Sequence, residues 1–539
     1  MANTSNLIKF YYNGKIFTAS EKLPWVESVI TQGNKIIFTG SYYDAINFNP
    51  YFDEKINLNG KLMLPGFTDS HLHLLLGGYT LTDINLNSVK SKKEFQNRIK
   101  VYLEKNDNTF YKGGGWDHSL FEGKVLPDKK WIDEIINDRP VFLTRLDYHL
   151  GIANSKALEI AGISADSGNP IGGVIDKDII TGEPTGILRD SAMALVLNAL
   201  PNRSKNEKEK ALQAALEILK KNGITSVHDI SMKGDFEIYE QFFEKGKLTC
   251  RINSIPLIEE VTDFSTVKID SKKYRYYLRR NCVKAFADGS LGASTALFET
   301  PYLNEDNNCG VETEIFSSGK INKVTEKANK HNVQLAIHAI GDKAVDNVLT
   351  LYQNLNNGDE KKDRRARIEH VQHIKKNHLK KFCNNNVIAS MQPIHLFYDA
   401  DTIKSKLGAD RFAGSFAINS LINNEVKVIF GSDWPVAETN IMHGIRVAVN
   451  RKVRGNQFPN GFYLSESISV EDAVKCYTIN PAFASFEEKI KGSIEVGKLA
   501  DFVILNKNIF KINKNEIVNV KIEQTIFDGE IIYDADNEG

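Results

Sequence analysis

Two histidines spaced two residues apart, His71 and His73, are the residues of this 539-residue sequence that most directly indicate chemistry. Pro65-Gly66 upstream indicates a turn, and the residues that follow read as the end of a strand. Side chains at positions i and i+2 of a strand point to the same face, so both imidazoles would face one point. Imidazole is a common transition-metal ligand, so the pair predicts half of a metal site, with packing as the alternative.

Other polar residues follow the same pattern in the middle of the chain. Each lies within or just after a short apolar run, and they are Lys284, His338, His370 and Asp433. In a parallel barrel the functional side chains lie at the carboxyl ends of the strands. Independent packing histidines have no reason to share that position. We therefore expect these residues to meet the histidine pair in one site.

Lys284 lies between apolar neighbours, where a bare ammonium group is costly to bury. An ion pair with Asp288 or another acid would offset this cost. Alternatively, the amine could react with carbon dioxide to form a carbamate, an anionic oxygen ligand that bridges two cations. Both interpretations stay open at this point.

The composition excludes several classes of function. Lys+Arg and Asp+Glu both number 68, and no run of like charge is long enough to indicate a nucleic-acid tail or a membrane patch. No run of about 18 apolar residues occurs, and residues 1–10 lack the apolar core of a signal peptide. The five cysteines are scattered, which is typical of reduced thiols. We expect a cytoplasmic protein that binds a small-molecule substrate, neither nucleic acid nor membrane, with a homodimer as the default assembly.

The two ends of the chain are rich in short strands. Asn13-Gly14, Gly33-Asn34 and Asp528-Gly529 predict hairpin turns there. Either end alone would bury too little apolar surface to be stable. We therefore expect residues 1–63 and 487–539 to form one small β-sandwich from both termini.

Residues 64–486 alternate strands with helices, which is typical of a parallel α/β fold. One predicted helix, residues 207–222, would end at Gly223. Eight strands are predicted, the number that closes a (β/α)8 TIM-type barrel, with an open doubly wound sheet as the alternative. These strands are residues 63–69, 141–144, 226–228, 283–286, 334–338, 367–370, 387–390 and 428–431.

Taken together, these segments resemble the amidohydrolase superfamily. The matching segments are LPGFTDSHLH at residues 64–73, where the barrel would start, and GSIEVGKLADFV at residues 492–503, where the chain would return to the sandwich. The resemblance narrows to the YtcJ-like branch of metal-dependent hydrolases, which includes N-substituted formamide deformylases. Its segments are GGWD at 114–117, RLDYH at 145–149 with Asn154-Ser155, GEPTGIL at 182–188, VKAFADGSLG at 283–292 and HAIGD at 338–342. Ala293-Ser294 departs from the pattern, since relatives often carry an arginine there, and this difference would alter the pocket.

This resemblance implies a metal-dependent hydrolase acting on a non-peptide C–N bond, an amide or formamide, of a small molecule. Carried over by position, the implied metal ligands are His71, His73, Lys284 as a carbamate, His338, His370 and Asp433. One or two divalent ions are expected, with zinc first and iron or manganese as alternatives. A metal-activated hydroxide would attack the carbonyl, and Asp433 would pass the proton to the leaving amine.

Four residues are predicted to contact the substrate. His149 and His228 lie near strand ends, and Trp116 and Asp117 lie in a glycine-rich loop. For His228, Trp116 and Asp117, packing is the alternative. The other histidines are interpreted as surface or packing residues: His118, His331, His373, His378, His395 and His443.

Two other functions compete with the leading one. A mononuclear deaminase of cyclic amidines, or a ring-opening hydrolase, would need one metal, and Lys284 favours two. A non-catalytic homologue with a regulatory or binding role predicts lost ligands, whereas every expected ligand type is present. Fold and site do not define the substrate.

Overall fold

A computed structural model of the protein describes residues 6–537 apart from 146–149, 171–172, 270 and 357–361. The chain divides into two compact units. Residues 1–74 and 216–539 form the main unit, and residues 75–215 form the inserted unit. Each is described by itself.

The main unit is an α/β structure that contains two parallel sheets. The four-stranded parallel sheet has the order Leu278–Arg279, Arg251–Pro256, Ile224–Ser231 and Phe67–Leu72. The five-stranded parallel sheet has the order Cys282–Phe286, Gln334–Ala339, Arg367–His370, Ile388–Met391 and Val428–Phe430. Backbone contacts join the two sheets twice: Leu257 pairs with Lys284 in a parallel bridge, and the amide of Asp433 donates to the carbonyl of His71 at 2.7 Å.

Helices follow most of these strands, as the alternating sequence pattern predicts. The α-helices described in the main unit, including one that begins in the inserted unit, are Tyr42–Phe48, Lys205–Lys221, Phe236–Glu244, Glu314–Ser317, Lys320–Lys330, Asp342–Asn356, Lys376–Asn384, Pro393–Leu407, Ile418–Asn423, Ile441–Asn450, Val470–Cys476 and Ile479–Ala484. The predicted helix before Gly223 is confirmed, and Gly223 has a φ of 72°, a left-handed conformation that ends helices.

Strands from both ends of the chain pair in one six-stranded sheet. Its order is Glu530–Asp534, Ile522–Phe527, Phe502–Leu505, Leu62–Pro65, Lys15–Phe17 and Trp25–Val26. A four-stranded mixed sheet has the order Lys35–Gly40, Ser28–Gln32, Ile8–Tyr12 and Glu54–Asn57. Side chains of both sheets, such as Val29 and Ile504, share one buried apolar cluster.

The inserted unit contains a mixed sheet of its own. Its order is Gly173–Lys177, Pro184–Asp190, Leu150–Ala153, Val141–Arg145, Tyr111–Trp116 and Ile84–Asn85. Its α-helices, the first beginning at the last residue of the main unit, are Leu74–Thr82, Lys92–Lys105, Lys130–Asp133, Ser155–Ile160 and Met193–Ala199.

Three strand predictions need correction. Residues 141–144 do not join the two parallel sheets, because Val141–Arg145 lies in the sheet of the inserted unit, parallel to Tyr111–Trp116 and antiparallel to Leu150–Ala153. The first parallel strand is Phe67–Leu72, whereas Leu62–Pro65 belongs to the terminal sheet. Arg251–Pro256 was not predicted, because Arg251 and Asn253 interrupt the apolar pattern of a strand that is buried throughout.

Two of the three predicted hairpin turns are confirmed. Gly33-Asn34 and Asp528-Gly529 connect antiparallel partners. The hairpin at Asn13-Gly14 is wrong, because the strands on its two sides enter different sheets. Among the described residues, every helix is too short or too polar to cross a lipid bilayer.

A buried ionic cluster joins the four-stranded parallel sheet to the C-terminal strands. Arg251 donates from Nε and Nη2 to the two carboxylate oxygens of Asp501, at 2.7 and 2.9 Å. Its Nη2 also donates to Asp528 at 2.8 Å. All three side chains are buried, so the two carboxylates compensate a cation that water does not reach.

We expect Arg251→Leu to lower the free energy of unfolding by about 3–5 kcal/mol, because it leaves two buried carboxylates without their cation. Urea denaturation followed by circular dichroism measures the change. The exposed Arg454 of the same unit provides the control, and Arg454→Leu should change the value by less than about 0.5 kcal/mol. Equal stability of the two variants would show that the cluster does not stabilise the fold.

Candidate metal centre

Three residues separated in sequence meet at the ends of two parallel strands. His71 lies near the end of the strand Phe67–Leu72, and His73 follows that strand. Asp433 follows the strand Val428–Phe430. Asp433 Oδ1 lies 3.5 Å from His71 Nε2 and 3.3 Å from His73 Nε2. One ligand atom from each of the three lies within 4.8 Å of the others. We call these residues the first ligand group.

A second ligand group shares the same carboxylate. It consists of His370, His395 and Asp433, again with ligand atoms within 4.8 Å of one another. Asp433 Oδ2 lies 4.0 Å from His370 Nδ1 and 3.8 Å from His395 Nε2. Asp433 therefore turns one oxygen toward each group.

His395, interpreted from the sequence as a surface or packing residue, is a candidate ligand that the pattern missed. It lies in the first turn of the helix Pro393–Leu407, directly after the strand Ile388–Met391. Its Nε2 is buried and has no hydrogen-bond partner among the described residues. The signal available in the sequence was its position four residues after an apolar run, which resembles that of the other candidates.

His338 lies beside the second ligand group without belonging to it. Its ring centre is 4.4 Å from that of His370. Its Nε2 contacts the carbonyl oxygen of Gly289 at 3.0 Å and Asp288 Oδ1 at 3.4 Å. The sequence-predicted position at a strand end therefore holds, but this nitrogen already faces protein oxygens.

Lys284 is buried without a carboxylate partner. Its side chain makes no hydrogen bond or ion pair with any residue that the structure describes, and its Nζ lies 4.7 Å from the centre of the Phe286 ring. Burial lowers the pKa of Lys284 to about 8. The predicted alternative of an ion pair with Asp288 is wrong, because Asp288 accepts instead from backbone amides, those of Leu297, Ile340 and Gly341.

The backbone at two candidate ligands adopts a conformation that non-glycine residues rarely use. His370 has a φ of 75° and Asp433 a φ of 60°. Consecutive residues of a regular strand point to opposite faces, so Glu369 and His370 could not otherwise both face the site. The left-handed turn at His370 changes this direction. Such conformations cost about 1–3 kcal/mol each and are concentrated at functional sites.

Electrostatics favours the protonation states that bind a cation. Burial lowers the pKa of His71 to about 4 and that of His370 well below its usual range, so both imidazoles are neutral. Burial opposes ionisation of Asp433, but the hydrogen bond from His73 is the largest opposing cause, and the pKa of Asp433 lies well below the usual range. Neutral imidazoles around an anionic carboxylate are the donor set of a divalent transition metal, so the residues present fit such an ion.

None of the predicted substrate residues that the structure describes belongs to either ligand group. His228 is fully buried, and its Nδ1 accepts from Arg367 at 2.9 Å. This position does not support a substrate contact. His149 lies outside the described residues.

Trp116 and Asp117 belong to the inserted unit. The Trp116 indole is buried and donates to the carbonyl of Leu143 at 2.9 Å, which is a packing role. Asp117 accepts from Arg145 at 3.0 Å and caps a short helical turn. The glycine-rich segment is the strand Tyr111–Trp116 and not the predicted loop, and both side chains are held by contacts within the inserted unit.

Imidazoles around one carboxylate at parallel strand ends define a metal-hydrolase type of site. The chain belongs to the amidohydrolase family, whose model matches residues 54–533.

Sequence comparison with individual proteins supports this family assignment. The chain is 37% identical to Protein LONG AFTER FAR-RED 3 of Arabidopsis thaliana over 92% of its own length and 86% of that protein. It is 32% identical to the putative amidohydrolase YtcJ of Bacillus subtilis (strain 168), over 97% and 99% of the two chains. It is 24% identical to an N-substituted formamide deformylase of Arthrobacter pascens, over 97% of each. The resemblance to the YtcJ-like branch is confirmed.

A solved structure extends the likeness to the fold. It is that of an uncharacterized metal-dependent hydrolase from Pyrococcus horikoshii OT3, with a TM-score of 0.80 and 26% identity. The match covers 94% of this chain and 99% of that one.

We expect His395→Ala to weaken zinc binding by about tenfold or more, because it removes a buried imidazole of the second ligand group. Competition with a chromophoric chelator measures the affinity. His331→Ala, at the exposed end of the helix Lys320–Lys330, is the control and should bind zinc normally. An unchanged zinc affinity of His395→Ala would show that His395 packs in the core and does not bind the metal.

Proposed function

We propose that this protein is a metal-dependent amidohydrolase that hydrolyses a non-peptide C–N bond, an amide or formamide, of a small molecule. The observation that carries the proposal is the Asp433 carboxylate shared by two groups of imidazoles. Family membership supports the hydrolase class, and the formamide deformylase among the relatives supports the type of bond. A non-catalytic homologue would be expected to lose ligands, and this chain retains them.

The proposed scaffold is a (β/α)8 barrel with a β-sandwich built from both termini. Among the described residues, the two parallel sheets of the main unit contain eight strands when the two-residue strand Leu278–Arg279 is set aside. The bridge between Leu257 and Lys284 and the bond from Asp433 to His71 support closure, because each joins the two parallel sheets. The apolar cluster shared by the two terminal sheets supports the sandwich.

The residues that would hold the metal are those of the two ligand groups. His71, His73 and Asp433 would bind one ion, and His370 and His395 would join Asp433 at a second. His338 and a carbamate on Lys284 complete the set that the family resemblance implies. Zinc is the proposed metal, and the chemistry it supplies in such sites is a water with a pKa near 7 and a polarised carbonyl.

Asp433 is the proposed general base and acid. Its carboxylate is anionic and lies within contact of both ligand groups, so it is placed to accept the proton of a water bound between them. The same carboxyl group can then deliver that proton to the nitrogen of the leaving amine. The amine must leave protonated, because an amide anion is a poor leaving group.

Changing Asp433 to asparagine should lower hydrolysis by about 10²- to 10⁴-fold, because the amide keeps an oxygen donor but accepts no proton. Metal content, measured by mass spectrometry, should remain. Asp410→Asn, an exposed carboxylate of the same unit, is the control and should hydrolyse normally. Retained hydrolysis in the Asp433 variant would refute its role in proton transfer.

Purified protein should contain a divalent transition metal and release amine from N-formyl or N-acyl amines. Dialysis against a chelator should abolish release, and zinc should restore it, because the proposed reaction uses a water that a metal activates. Dipeptides and cyclic amidines form the other arms of the screen. Release from those arms alone would assign another bond type, and metal-free, inactive protein would contradict the proposal.

A further inference from the structure

A buried chain of polar side-chain contacts begins at Nδ1 of His71. Nδ1 of His71 lies 2.5 Å from Glu369 Oε2, and Glu369 Oε1 forms an ion pair with Arg367 Nε at 2.8 Å. Arg367 Nη1 lies 2.9 Å from Nδ1 of His228. None of the four residues is more than 1% exposed, so water does not compete for these contacts.

The order of donors and acceptors along these polar contacts determines which ring nitrogen of His71 carries the hydrogen. The ion pair with the permanently cationic guanidinium of Arg367 favours Glu369 as a carboxylate, which can only accept, so Nδ1 of His71 carries the hydrogen. The lone pair of Nε2 then points to the side on which Asp433 lies, 3.5 Å away. Histidines that bind metals usually donate their other ring N–H to such an acceptor.

Arg367 also holds the backbone that carries His71. Its Nη2 donates to the carbonyl of Ser70, the preceding residue, at 2.8 Å, and to Ser390 Oγ at 3.3 Å. One guanidinium therefore contacts the strands Phe67–Leu72 and Ile388–Met391 in addition to Glu369 on its own strand. A lysine has no planar fork of donors and would not make all these contacts.

We propose that Glu369 and Arg367 are positioning residues of the metal centre. Glu369 holds His71 in the form with hydrogen on Nδ1, and Arg367 orients both Glu369 and the backbone before His71. His228 completes the chain as an acceptor for Arg367. The inference rests on the proposed function because it concerns its metal centre, but its test needs no substrate.

The direct test is Glu369→Gln, with zinc alone as the probe in competition with a chromophoric chelator. We expect an affinity about 10- to 100-fold weaker, because an amide is a weaker acceptor and can turn its NH₂ toward His71. Arg367→Lys should fall toward the lower end of that range. Matched controls are Glu466→Gln and Arg451→Lys, buried residues of the same unit whose contacts lie with Ser420 and with backbone carbonyls. Both controls should bind zinc normally.

A second measurement observes the unsubstituted protein, so it does not depend on whether Glu369→Gln folds. Nitrogen-15 NMR of the metal-free, unsubstituted protein, with His71 assigned by comparison with His71→Asn, reports which ring nitrogen carries hydrogen. We expect hydrogen on Nδ1.

Hydrogen on Nε2, or a folded Glu369→Gln variant with normal zinc affinity, would overturn the positioning role. If both expected results are obtained but no substrate is hydrolysed, the proposed function fails and the positioning role stands.

Discussion

The contact on which the site depends is that between the Asp433 carboxylate and the imidazoles on either side of it. An anion buried at this depth is unfavourable unless donors or cations compensate it. His73 and His71 lie near one oxygen, and His370 and His395 near the other. In the absence of a cation, the neutral His71 and His370 compensate the charge only partly, so the arrangement itself favours a bound divalent ion.

The parallel strands bring these side chains together from distant parts of the chain. Their carboxyl ends lie at one edge, so residues that follow Phe67–Leu72, Arg367–His370 and Val428–Phe430 become neighbours. Regular strand geometry alone would not direct every ligand side chain into the site. The left-handed conformations of His370 and Asp433 provide the remaining change of direction, at a cost that the buried contacts around them must compensate.

The site residues that the sequence predicts are polar residues at the end of an apolar run. His71, His73 and Asp433 each follow an apolar run, and the structure brings them together. Glu369 and Arg367 were not predicted, because charged residues inside a short strand look like evidence for exposure, whereas here they compensate each other in the core. His395 lies within a helix, where spacing does not reveal the direction of one side chain.

The same limit explains the errors in the fold. Arg251–Pro256 is a buried strand that begins with a charge, because Asp501 and Asp528 from the far end of the chain compensate it. Those partners lie 250 and 277 residues away, beyond any local pattern. Residues 141–144 show the converse, since an apolar run identifies a strand but not the sheet that it joins.

Buried arginines therefore do more in this protein than stabilise it. Replacing a buried ion pair with apolar side chains is often neutral or favourable for stability, so stability alone does not account for Arg251 and Arg367. Each instead contacts segments that are remote in sequence: Arg251 joins a parallel strand to the C-terminal strands, and Arg367 joins the backbone of Ser70 to Glu369. Apolar packing tolerates small shifts between such segments, whereas charged groups with fixed donor geometry do not. A metal centre whose ligands come from several strands needs that restriction, because small displacements would separate the ligands.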